Sequence, residues 1–301
     1  MSHEFETAAG TPMNAGGTSR RVTGSARDAV ARVQGAERSV APAVARAVAI
    51  LELLAENVAV PLGLSEIARR LDIPKSSVAN LCAALVDSGL LVRRDGGFSL
   101  GRKLAELGGA YLASADQVRE FRDACRSLTA AAEETVQLAV LDQMEVVYVA
   151  RHDGRQLIRL VSEIGRRLPA SCTAAGKAAL ATLSPAALAD SLRELTRLPV
   201  LTTHSCQLSS DLLVDLEATR RRGYAIDDEE TADGVVCFAV AVPGRFAGVG
   251  PAAGPWAVSV ALLKARATDD RREQLVFDLQ ELSRRLAPSG REMFGSAPCG
   301  L

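Results

Sequence analysis

The 301-residue chain has little of what metal, redox and membrane proteins need. It carries three histidines and six cysteines, and Cys82, Cys125, Cys172, Cys206, Cys237 and Cys299 form no C-x-x-C pair. That spacing predicts reduced thiols, no metal site and no cofactor. No apolar run reaches the roughly 20 residues that span a bilayer, and the first residues lack the apolar core of a secretory signal. A soluble, cytoplasmic protein with no membrane partner is expected. The formal net charge of −1 gives no general attraction for polyanions, so any nucleic-acid affinity must come from locally placed basic groups. Residues 41–101 are themselves balanced, with Arg46, Arg69, Arg70, Lys75, Arg93 and Arg94 against Glu52, Glu56, Glu66, Asp72, Asp87 and Asp95.

What is present is ordinary globular composition, 48% hydrophobic and 24% charged, in a length that suits about two domains. Residues 1–38 are rich in Gly, Ala, Thr and Ser without periodicity and read as a tail; 291–301 read as a second. Between 39 and 101 the pattern is more specific. Apolar residues at helical spacing predict a helix over Ala43–Glu56, and a second follows with Ser65 as its N-cap. After a tight turn a third begins with Pro74 at its first position. Val78, Leu81 and Leu85 share one face of this third helix, and Ser76, Ala79, Asn80 and Ala83 face the other way. Gly89 stops it, and Leu90–Leu100 reads as a two-stranded wing around Asp95-Gly96-Gly97. Helix, turn, helix and wing make a winged helix-turn-helix, which places one helix in the major groove of double-stranded DNA. Asn80 can pair bidentately with adenine, and Ser76 and Ser77 are further base-reading candidates. Lys75, Ser76 and Ser77 at the helix start suit phosphates, as do Arg69, Arg70, Arg93 and Arg94. The plain alternative is a solvated face.

A connecting helix is expected over 102–116, then a domain over 117–290. Asp116 opens an amphipathic helix, after which the period falls to two. Thr135–Asp142 and Glu145–Arg151 predict a hairpin around Gln143-Met144, and Leu157–Ser162 a third strand. Helices follow at Ala174–Thr182, Pro185–Arg193 and Ser209–Arg222, with strands at Tyr224–Asp227, Val235–Pro243 and Trp256–Leu263. A last helix, capped by Thr268, runs to about Leu286. The fold class is α+β. The Gly- and Pro-rich run Gly244–Pro255 is a loop by composition.

From about Val40 to Leu286 the chain resembles the IclR family of bacterial transcription regulators. The motifs that carry the resemblance are Leu64-Ser65-Glu66-Ile67-Ala68 with Pro74-Lys75-Ser76-Ser77-Val78, and Leu138–Asp142 with Glu145–Val149. Gly165–Pro169 with Ala174–Ala178, and Gly223–Glu230 with Gly234–Cys237, complete the set in the right order. The resemblance implies a winged helix, a linker helix and a GAF-like ligand-binding domain. It also implies homodimers or homotetramers on palindromic operators, and a small organic acid as effector. Carried over position by position, the acid would rest on the backbone at Ala174 and Ala175, with Asp227, Cys237 and Ser259 around it. Ala261 stands where one family pattern has a second serine, and Cys172 where histidine is frequent. Both departures imply a less polar ligand, with aromatic acids among the candidates.

Other chemistry falls short in the sequence. Gly176-Lys177-Ala178 has Ser171 where a phosphate loop needs glycine, and no Ser or Thr after the lysine. Gly248 and Gly250 lack the helix a dinucleotide fingerprint requires. Asp227–Glu230 reads as one pocket carboxylate plus solvated charges, or as a cation site. Cys172 or Cys237 with His152 or His204 is a conceivable nucleophile pair, but nothing in the sequence joins them. Trp256 is either core or a stacking platform. The alternatives to a regulator are an enzyme centred on 120–290 and a winged-helix protein-interaction module.

Overall fold

The computed structural model describes residues 40–114, 116–128, 133–155, 163–193, 195, 197–244 and 254–287. The two expected tails, the strand expected at Leu157–Ser162 and most of the loop expected at Gly244–Pro255 lie outside the described residues. The chain divides into two compact units at Glu106/Leu107.

In the first unit α1 (Pro42–Glu56), α2 (Leu64–Leu71) and α3 (Lys75–Asp87) precede β1 (Leu91–Arg94) and β2 (Gly97–Leu100). Ile50, Leu54, Ile67, Leu71, Val78, Cys82, Leu91 and Phe98 are buried together as its core. Leu62 bridges to Phe98 through two backbone bonds, adding a third short strand to the wing. A side chain at Gly97 would meet the Leu62 carbonyl oxygen at 2.2 Å, so that approach requires glycine. Two boundaries differ from expectation. Gly63, not Ser65, caps α2, with no side-chain cap; Ser65 lies one residue inside the helix. Pro74 is itself the cap of α3, its ψ of 134° keeping it extended, and Lys75 is the first helical residue.

Helix α4 (Lys103–Ser114) carries the unit boundary, and α5 (Asp116–Cys125) follows. The second unit is built on a six-stranded antiparallel sheet ordered β5-β4-β3-β8-β7-β6. Its strands are β3 (Thr135–Asp142), β4 (Glu145–His152), β5 (Arg167–Pro169), β6 (Ala225–Asp228), β7 (Val235–Val242) and β8 (Trp256–Leu263). The three-residue β5 was not expected; it is too short to show a period. The helices α6 (Ala174–Leu180), α7 (Pro185–Leu192), α8 (Ser209–Arg222) and α9 (Asp269–Leu286) complete the unit.

Side-chain size alternates along the two central strands. In β8, Trp256, Val258, Val260 and Leu262 point one way, and Ala257, Ser259 and Ala261 the other; β7 repeats this with Val236, Phe238 and Val242 against Cys237 and Ala239. The large face packs on Val118 and Phe121 of α5 and on Leu275, Leu279 and Leu282 of α9. The small face receives α6, whose Ala-Ala-Gly-Lys-Ala-Ala run lets it come close. A side chain at Gly176 would meet the Ala170 Cα and carbonyl oxygen at 2.3 Å. Trp256 belongs to the core on the far face, so of its two readings the core one holds. Among the described residues no helix is long and apolar enough to cross a membrane.

Candidate functional site

Helix α3 turns Val78, Cys82 and Leu85 inward and leaves Lys75, Ser76, Asn80, Ala83 and Ala84 exposed, with Ser77 half-buried. The outward face is thus short, polar and small, as entry into a groove requires. The basic candidates differ in their freedom. Arg69 grips Glu66 through Nε at 3.0 Å and a second nitrogen at 2.7 Å; Arg70 reaches Glu66 at 2.6 Å and Asn57 at 3.2 Å. The hydrogen bonds from these two guanidinium groups hold the Glu66 carboxyl down at about 2. The Arg93 guanidinium lies 5.4 Å from the Phe98 ring centre. Lys75 and Arg94 are exposed and have no partner among the described residues.

The small face of the larger sheet holds a cavity with about 380 Å³ of empty space, its open mouth included. Ala174, Ala175, Asp227, Cys237 and Ser259, separated by up to 85 positions, all line it. Strand register explains the gathering: Asp227 pairs with Cys237, Cys237 with Ala261, and Ser259 with Gln137. The N–H groups of Ala174 and Ala175 begin α6 and have no acceptor among the described residues. The next free N–H, of Gly176, is taken at 3.0 Å by the Thr173 hydroxyl. Ser259 Oγ likewise has no hydrogen-bond partner among the described residues.

Asp227 is occupied differently. One carboxylate oxygen accepts the N–H groups of Glu230 at 2.8 Å and Thr231 at 3.1 Å, and the other accepts the Thr231 hydroxyl at 2.6 Å. Burial raises its pKa against those hydrogen bonds. Its geometry folds the turn after β6 over the cavity, so that Thr231 and Ala232 roof it. Burial also raises the Cys237 thiol well above its ordinary range, with Asp227 adding to the effect. Cys172, held to the Pro199 carbonyl at 3.2 Å, is raised by burial too. Neither is a ready thiolate, which weakens the nucleophile pairing.

Sequence reasoning missed Gln137, Tyr148, Thr231, Ala232 and Val235, which also line the cavity. Gln137 had a signal: it is a polar residue inside an otherwise apolar strand. Tyr148 had none, because a β-bulge between Leu138 and Ala139 is what sets it opposite Ala139 on the cavity face. Lys177 lines nothing. It is buried and paired with Asp215 at 2.7 Å and Glu230 at 2.5 Å, consistent with its failure as a phosphate loop. Among the described residues no cluster of His, Cys, Asp and Glu could hold a metal.

A winged helix-turn-helix followed by an α+β unit with a partly open cavity on its sheet defines a ligand-responsive DNA-binding regulator. Residues 43–95 match the IclR helix-turn-helix domain, and residues 109–287 match the bacterial transcriptional regulator IclR C-terminal domain. The chain belongs to the IclR family. It is 30% identical to the HTH-type transcriptional regulator KdgR of Dickeya chrysanthemi, over 75% of this chain and 73% of that one. The crystal structure of the Thermotoga maritima IclR superposes with a TM-score of 0.60 at 26% identity, covering 81% of this chain and 98% of that one. An IclR homologue from Microbacterium hydrocarbonoxydans, crystallised with 4-hydroxybenzoate, shares the fold at a TM-score of 0.63 and 23% identity, over 81% and 98% of the two chains. Members of this family bind DNA operators and small-molecule effectors, and are regulators rather than enzymes.

Proposed function

We propose that this regulator is controlled by a small organic acid carrying a single carboxylate, seated on the small face of its sheet. The observation that carries the reading is the cavity at Ala174, Ala175 and Ser259, where two N–H groups and a hydroxyl lack partners among the described residues. A carboxylate satisfies all three, because unpaired donors at a site closed to bulk water are costly. The lining has no Lys, Arg or His and does include Asp227, so a second negative charge on the ligand would find no counter-ion. Asp227 acts by shaping the roof, and Cys237 by contact. An aromatic monocarboxylate is the chemical class to test first, since the Microbacterium homologue was crystallised with 4-hydroxybenzoate.

Asn80, Ser76 and Ser77 read bases, while Lys75, Arg93 and Arg94, and more weakly Arg69 and Arg70, contact phosphates. The protein acts in the cytoplasm as a homodimer or homotetramer on a palindromic operator and has no catalytic activity. Exposed Val44 and Val48 on α1, with Leu107 and Tyr111 on α4, support self-association, since such side chains favour burial. Effector binding changes operator affinity because the acid binds one arrangement of the oligomer more tightly.

The test is a thermal-shift series of mono- and dicarboxylic acids, aromatic and aliphatic, followed by gel shifts on the DNA flanking the gene. A monocarboxylate should raise the melting temperature and alter the DNA shift. A preference for dicarboxylates would overturn the ligand assignment. Binding no better than to random DNA at about 0.1 M salt would overturn the operator assignment.

A further inference from the structure

Lys177, from the Gly176-Lys177-Ala178 run, and Glu230, from the acidic run at 227–230, meet inside the second unit. Lys177 Nζ lies 2.5 Å from Glu230 Oε1 and 2.7 Å from Asp215 Oδ2; its side chain is 1% exposed and that of Glu230 14%. Asp215 also receives Arg222 at 3.2 Å, so it has a second cation. Neither Lys177 nor Glu230 lines the cavity, but each sits beside residues that do. Lys177 is in α6 with Ala174 and Ala175; Glu230 precedes Thr231 and Ala232 in the roof turn. The pair therefore ties one wall of the cavity to its roof.

The turn needs such ties. It leaves β6 through Glu229 in the left-handed region, at φ 64°, and re-enters the sheet after Gly234. Besides Asp227, its anchors are the hydroxyls of Thr202 and Ser205 on the carbonyls of Glu229 and Glu230, Lys264 on the Glu229 carboxylate, and the Thr231 hydroxyl on the Cys172 carbonyl at 2.9 Å. Lys177 is the tie that comes from α6 itself, and it holds the Glu230 side chain. A buried ion pair resists separation because either partner, moved alone, strands a charge away from water. It contributes little net stability compared with apolar packing, so a role in holding geometry explains it better than a role in holding the fold.

We propose that Lys177 is a positioning residue of the effector cavity: through Glu230 it fixes the roof turn, and losing the pair opens the cavity while the domain stays folded. The proposal rests on the cavity being the effector site, but its test reads the roof itself and needs no effector. Cys237 lines the cavity, whereas Cys125 is buried on the opposite face of the same sheet and serves as the reference. The full-length protein is treated with methyl methanethiosulfonate, and modification of each thiol is followed by mass spectrometry. In Lys177→Met and in Glu230→Ala, Cys237 should react at least tenfold faster than in the parent, with the Cys125 rate unchanged. Glu230→Ala leaves Lys177 paired with Asp215, so it strands no charge and decides the matter even if Lys177→Met does not fold. An unchanged Cys237 rate in Glu230→Ala would overturn the proposal. So would equal acceleration of both thiols, which marks loosening of the whole domain. Failure of every acid to bind would count against the effector reading and leave these rates standing.

Discussion

Asn80 and Arg94 are both exposed on the winged helix, yet they contribute to operator binding in different ways. The Asn80 amide offers a donor and an acceptor at fixed spacing, so Asn80→Ala should relax preference at one base pair by about 1–3 kcal/mol. Binding-site selection checks this, and an unchanged preference removes Asn80 from the reading face. Arg94 is assigned to a phosphate, and a phosphate contact carries no sequence information. Arg94→Ala should weaken all sequences alike and reduce the slope of log affinity against log salt by about one. Arg69 and Arg70 should show smaller losses, since each must first release Glu66. In the cavity, Ser259→Ala removes a hydroxyl without a partner among the described residues. It should cost about 1 kcal/mol of effector affinity and leave the melting temperature of the free protein unchanged.

At the scale of elements, α6 lies close against the backbone at Ala170, just after β5. Gly176→Ala places a methyl at 2.3 Å from the Ala170 backbone, and should destabilise the second unit by about 1–3 kcal/mol in urea titrations. A neutral result would mean that the backbone at Ala170 gives way to α6 without cost. Much of this architecture was legible in sequence because period and size alternate so regularly. The two-residue turn at Gln143-Met144 joins Asp142 to Glu145 as expected, and β7 and β8 fall within a residue of their predicted limits. The five cavity candidates came from family motifs, whose spacing is fixed by the same sheet. The rest was hidden for physical reasons. Ser65 is a good capping residue, but the chain turns into α2 two residues earlier, at Gly63. The Tyr148 position depends on a bulge, which is a property of pairing and not of either strand alone. Lys177 and Glu230 are 53 positions apart, and neither looks buried when read locally.

For the molecule as a whole, the buried charges set how stability follows pH. Burial pushes the Glu230 carboxyl up to about 7; Lys177 acts against this, while Asp227 and Asp215 add to it. The folded protein therefore keeps this proton to higher pH than the unfolded chain, whose carboxyl titrates near 4.5. The stability gained from it is complete below about pH 4.5 and is lost as pH rises through about 7. Glu230→Gln, which never ionises, should gain in stability relative to the parent as pH rises from about 4.5 to 8. The advantage should vanish near pH 4, and chemical denaturation at both pH values checks it; a gain independent of pH would contradict the assignment. The alternation of bulky and slight side chains along β7 and β8 has a consequence for descent. Exchanging Cys237 or Ser259 for another slight residue reshapes the chamber without disturbing the packing on α5 and α9. One scaffold can thus acquire a taste for new metabolites by single substitutions, each made on the face turned away from α5 and α9.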